Sequence, residues 1–82
     1  MNEPEKPHEH RFFVDAKPYE TDKPSLTGTE IKAKANVAAA YQLFEEEEGD
    51  RPDKAISDGE SVRLEGRPKH FFAVPPATFG AK

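Results

Sequence analysis

One helix start stands out in this chain, and the helix behind it is too short to be stable alone. Thr27-Gly28-Thr29-Glu30 fits the reciprocal cap S/T-x-x-E. In that cap the Thr27 hydroxyl accepts from the Glu30 amide while the Glu30 carboxylate reaches back to Thr27. The run Glu30-Ile31-Lys32-Ala33-Lys34-Ala35 that follows favours helix and holds no breaker. Ile31 and Ala35 stand four apart on one face, with Lys32 and Lys34 pointing elsewhere. Leu26, just before the cap, can staple the helix start to a core, and Asn36 is a reasonable stop. A helix of about nine residues, 28–36, needs tertiary support. It must lie on a sheet.

The rest of the sequence supplies one. Arg11-Phe12-Phe13-Val14-Asp15 is an apolar burst ending in turn chemistry at Asp15-Ala16-Lys17-Pro18, and Tyr19-Glu20-Thr21-Asp22 returns, which predicts a hairpin. Strand alternation puts Phe12 and Val14 on one face and Phe13 on the other. Tyr41-Gln42-Leu43-Phe44-Glu45 reads as a third strand running into a Glu45–Glu48, Gly49, Asp50 to Asp53 loop. Ile56 is an apolar anchor before the turn Ser57-Asp58-Gly59, and Ser61-Val62-Arg63-Leu64 alternates as a fourth strand. Gly66-Arg67-Pro68 breaks it, and Lys69-His70-Phe71-Phe72-Ala73-Val74 is either a fifth strand or a continuation past a bulge. This order predicts an α+β fold of the β-grasp type, a mixed sheet of four to five strands packed on one short helix. The right-handed crossover rule allows the strand near Val62 to run parallel to the first.

Composition bounds what such a body can do. Three Leu, two Ile, four Val and six Phe make 15 of 82 residues, under the fifth at which disorder becomes the default. Eight prolines push the same way, whereas six Phe and two Tyr argue for a small core between loose ends. Residues 1–9 read as a flexible arm, 10–74 as the domain, and 75–82, with Pro75 and Pro76, as an extended tail. There is no apolar stretch of membrane-spanning length, and the charged start Met1-Asn2-Glu3-Pro4-Glu5-Lys6 is no signal peptide. Twelve Lys+Arg against sixteen Asp+Glu is a poor balance for a nucleic-acid backbone. A cytoplasmic location without membrane partners is expected. With no cysteine there is no thiol nucleophile or thiolate metal site. A chain this small is a poor host for an enzyme pocket, so binding or carrier work is expected rather than catalysis.

Polar clusters add little. His8, His10 and His70 are too few and too scattered to predict a metal centre. The Glu45–Glu48 run with Asp50 and Asp53 lacks the order of a calcium loop and reads as a solvated acidic segment. Ser57, Ser61 and Thr27 have no His/Asp constellation around them, and Lys32, Lys34 and Lys54 read as surface lysines. No cofactor is called for. Of Phe71 and Phe72, adjacent on one strand, one must pack inside; the other, Phe72 in this reading, is left to a partner or to the tail. Phe13 and Phe44, if outward, are further partner contacts, with packing the plainer reading for Phe44.

The residues then resemble a family. Phe12-Phe13-Val14 and the helix run resemble the first strand and helix of ubiquitin. Tyr41-Gln42-Leu43-Phe44 and Ile56-Ser57-Asp58-Gly59-Glu60-Ser61-Val62-Arg63-Leu64 resemble its third strand, the turn that follows and its last strand. More closely, Phe13-Val14-Asp15, Leu26-Thr27-Gly28, Tyr41-Gln42-Leu43-Phe44 and Phe71-Phe72-Ala73-Val74-Pro75-Pro76-Ala77-Thr78-Phe79-Gly80 resemble the bacterial multiubiquitin family of ubiquitination-like operons. The likeness spans about residues 10–80, and its tail is the most specific part.

That resemblance implies a protein modifier. An E1-like enzyme would use ATP to activate a C-terminal glycine carboxylate, which would pass to an E2-like enzyme and then to target amines. The matching position is Gly80, with Pro75, Pro76, Thr78 and Phe79 as the tail read by those enzymes. Ala81 and Lys82 lie beyond, as an end for a processing peptidase to trim. A glycine suits the task, because no Cβ hinders attack on its acyl group. Two departures from ubiquitin stand out: Phe79 replaces the first glycine of the usual Gly-Gly, and a Phe-rich strand intervenes before the tail. The Gly-Gly difference also argues against a sulfur carrier. The alternative is a non-covalent interaction or self-assembly module that uses the β-grasp surface and an arm or tail added to a neighbour's sheet edge. In that reading a homo-oligomer is expected and Gly80 is only a flexible residue of a frayed end.

Overall fold

A computed structural model describes residues 9–76. The elements in chain order are β1 (His10–Val14), β2 (Lys17–Thr21), β3 (Ser25–Thr27), α1 (Gly28–Lys34), β4 (Gln42–Glu45), β5 (Lys54–Ile56), β6 (Ser61–Arg63) and β7 (Lys69–Val74). Five strands form one sheet in the order β2-β1-β7-β4-β5, and β3 pairs with β6 in a second, two-stranded one. Every pairing is antiparallel except that of β1 with β7, which is parallel. A mixed five-stranded sheet with one short helix is the β-grasp arrangement that the element order predicted.

Strand parity builds the core. Phe12 and Val14 of β1 point inward, as do Leu43 of β4, Ile56 of β5 and Phe71 of β7. Ile31 from the helix and Leu26, Val62 and Leu64 from the second sheet and its margin join the same cluster. The Phe12 and Phe71 rings meet edge to face at 6.1 Å, a favoured quadrupole geometry, and Tyr19 stacks on Phe12 at 5.8 Å. Nine buried apolar residues are a thin core, so local devices matter.

The cap is one such device. Thr27 Oγ1 accepts from the Glu30 N–H at 3.2 Å, and Glu30 Oε1 accepts from the Thr27 N–H at 2.8 Å. The helix start also docks on the 57–60 turn: Gly28 N–H donates to the Glu60 carbonyl and Thr29 N–H to that of Asp58. Gly28 sits so close that any Cβ there would strike the Ser57 carbonyl. The helix ends at Lys34, with Ala35 as its cap, two residues before the predicted limit. Asn36 is the stop, in the left-handed region at φ 60°.

Several expectations change. The strand parallel to β1 is β7, not the segment around Val62, which pairs with Ser25–Thr27 instead. Residues 69–74 therefore form a separate strand, and it is this strand, not 61–64, that takes the place of ubiquitin's last. Position and length explain the choice. β7 is six residues long and gains neighbours on both sides while burying Phe71; three-residue β6 needs only β3 to bury Val62. The hairpin turn is just Asp15-Ala16, at φ 54° and 70°, and Lys17 and Pro18 already belong to β2. Two left-handed residues give the turn a twist that matches the strands. Lys54–Ile56 is a strand where an anchor and loop end were expected.

Lys32 is also not a surface lysine. It is 4% exposed, and its Nζ donates to the carbonyls of Ala39 and Tyr41, each at 2.8 Å. Asp58 Oδ1 lies 2.8 Å away, so all three ammonium protons have an oxygen. One side chain thereby ties the helix, the segment leaving it and the 57–60 turn together.

The open edge of β2 carries Pro18. A two-residue loop makes Val14–Lys17 a hydrogen-bonded pair, so Phe12–Tyr19 is the next, and Pro18 opposite Phe13 directs its backbone nitrogen outward. That nitrogen has no proton to give.

Candidate functional site

The side of the five-stranded sheet away from the core is its aromatic side. Because Phe12 and Val14 point inward, Phe13 points out, and its register partner on β7 is His70. The two rings stack with centroids 4.6 Å apart and 3° between planes. Since Phe71 is buried, Phe72 also faces outward, opposite Phe44 of β4. These rings stack at 5.2 Å and 10°. Phe13, Phe44 and Phe72 are each half-buried, lying flat on the sheet with one face to solvent. Pro18 extends the surface beyond Phe13, Ala55 beyond Phe44, and Val74, 39% exposed, follows Phe72 on the same side.

The three aromatics singled out from sequence thus share one surface. His70 and Val74 were missed as part of it. The signal was present: His70, Phe72 and Val74 recur at every second residue, and placing Phe71 inside puts all three outside. Phe44 does both things weighed for it, packing against Phe72 and remaining accessible. Such a surface offers dispersion, ring contacts and one imidazole. It is suited to recognition, since flat aromatics supply large contact area at low entropic cost.

Charge collects at one end of this surface. Glu45 lies 3.4 Å from Lys69, Glu47 3.7 Å from Arg51 and Glu48 3.8 Å from Arg67. The Glu47 N–H donates to Asp53 Oδ1 at 3.1 Å. The acidic loop is therefore partly ion-paired rather than wholly solvated. It lines an open cleft of about 320 Å³ with Arg67, Pro68 and His70. Among the described residues, no three His, Asp or Glu side chains group as a metal site. His10 and His70 fall on opposite sides of the sheet by parity.

Elsewhere two carboxyl groups are held below the usual range. A hydrogen bond from Arg11, 3.0 Å away, does this for Glu20. For Glu60 the chief cause is the Ser57 N–H, at 3.2 Å, aided by Lys54, also at 3.2 Å.

Beyond Val74, Pro75 and Pro76 are exposed as the chain leaves the sheet. The other predicted tail positions, Thr78, Phe79, Gly80, Ala81 and Lys82, lie outside the described residues, as does most of the 1–9 arm. No helix among the described residues is long and apolar enough to cross a membrane.

A β-grasp body with a central last strand, an aromatic outer surface and a proline-led exit defines a ubiquitin-like protein. The Multiubiquitin family model matches residues 10–76, and the chain belongs to that family. No curated protein and no solved structure matches it significantly.

Proposed function

We propose that this chain is a ubiquitin-like protein modifier, working in the cytoplasm of a bacterial ubiquitination-like pathway. A peptidase hydrolyses the Gly80–Ala81 bond and releases the Ala81-Lys82 dipeptide. The Gly80 carboxylate then attacks the α-phosphate of ATP on an E1-like enzyme, giving an acyl adenylate and pyrophosphate. An enzyme thiol displaces AMP, an E2-like enzyme takes the acyl group, and a target amine attacks it to form an isopeptide bond. The Multiubiquitin match over the whole body carries this reading. The exposed Pro75-Pro76 exit from the sheet centre agrees with it: a stiff pair projects the following residues away from the body. Phe13, Phe44 and Phe72 form the surface by which the enzymes hold the body while the tail is read through Pro75, Pro76, Thr78 and Phe79.

The test uses a chain ending at Gly80, incubated with the E1-like enzyme of its own pathway and ATP. An ATP-dependent thioester adduct is expected, and deleting Gly80 should abolish it without changing the fold. Phe44→Ala should weaken adduct formation several-fold while costing little stability, since that ring is only half-buried. If the Gly80-deleted chain still supports the full biological output, the non-covalent assembly reading replaces this one. The half-open aromatic surface is the observation that favours the second reading, with another copy of the chain as its occupant.

A further inference from the structure

The parallel ladder between β1 and β7 has one more rung than β1 has residues for. In a parallel pair, a residue donates its N–H to one residue of the facing strand and accepts at its carbonyl from the residue two further on. Asp15 donates its N–H to the Phe71 carbonyl at 2.9 Å, as the next strand residue would. Its φ of 54° then turns the chain into the hairpin, so its own carbonyl no longer follows the strand path. The Ala73 N–H donates instead to Oδ1 of the Asp15 side chain, at 3.3 Å. The carboxylate stands where the backbone carbonyl would have been.

The other flank shows why this matters. Glu46 N–H donates to the His70 carbonyl at 2.8 Å, which makes that pair hydrogen-bonded. Alternation carries the bonds on to Phe72–Phe44 and Val74–Gln42, so the Ala73 N–H points away from β4 and toward the place β1 has left. Without Asp15 it has no protein partner there. With it, β7 is gripped from both sides to the point where Val74-Pro75-Pro76 leaves the sheet.

We infer that Asp15 is a positioning residue for the C-terminal segment: its carboxylate clasps Ala73 and fixes the stem from which the tail departs. Only a short side chain with an acceptor oxygen at the δ position can fill this role. Asp15 also suits the left-handed turn, and two variants separate the two roles. Gly fits the turn at φ 54° but has no acceptor, whereas Asn fits it and keeps Oδ1. The inference rests on the modifier reading for its purpose, though not for its structural half.

The experiment follows amide hydrogen exchange at Ala73 by NMR in the full chain. In Asp15→Gly, Ala73 should exchange about ten-fold faster while the melting temperature holds. Asp15→Asn should stay within about three-fold of the parent. Equal exchange in the parent and Asp15→Gly overturns the clasp, and so does an Asp15→Asn variant that exchanges as fast as Asp15→Gly. With the activating enzyme and ATP, Asp15→Gly should raise KM several-fold at unchanged kcat, and Asp15→Asn should restore it. Faster Ala73 exchange with an unchanged KM would make the clasp merely structural and overturn the positioning role. If no chain ending at Gly80 is ever activated, the modifier reading falls while the exchange comparison still decides the clasp.

Discussion

A lysine with all three protons satisfied inside a thin core does the work of several apolar contacts. Lys32 joins the Ala39 and Tyr41 carbonyls to Asp58, three points that share no other common partner. Lys32→Met keeps the stem's volume but leaves two carbonyls and a carboxylate without their donor. It should cost about 2–3 kcal/mol in urea unfolding. Asp58→Asn should cost less than about 1 kcal/mol, because Asp58 faces water and both carbonyls stay bonded. Equal losses in the two variants would show that the ion pair, not the carbonyls, holds the lysine. Nothing near Lys32 in sequence announces this burial. Its partners lie seven, nine and twenty-six residues away, and a helix pattern alone puts such a lysine on the solvent side.

Elements whose cause is local were legible beforehand. Thr27 and Glu30 cap the helix within one turn, and alternation alone sorts Phe12 and Val14 from Phe13. The partner surface was partly legible by the same parity. Choosing the parallel strand was not, because Val62–Leu64 and Phe71–Ala73 both alternate, and only three-dimensional competition for the place beside β1 separates them. Three-residue β3 and β5 carry too little pattern to read. Between α1 and β6, the 57–60 turn is held by Glu60, whose carboxyl accepts from Ser57 and pairs with Lys54. Its depressed pKa has a definite sign. The contribution is present above the ordinary Glu value of 4.5 and is lost as pH falls through the lower folded value. Acid titration of stability should therefore be shallower in Glu60→Gln than in the parent, with Glu20 leaving a residual slope. Identical acid slopes would remove Glu60 from the account.

At the scale of the molecule, the sheet has two open margins, β2 and β5, and the first bears Pro18. An unprotected margin is a template for another chain. Pro18→Val would restore an outward N–H and a strand-favouring side chain there. Sedimentation at matched concentration should then show heavier species than the parent forms. An unchanged mass distribution would mean the margin is guarded by something else. A protein attached in quantity to one target would crowd its copies shoulder to shoulder. A single imino acid on the exposed border lets them remain discrete beads rather than zip into a fibre.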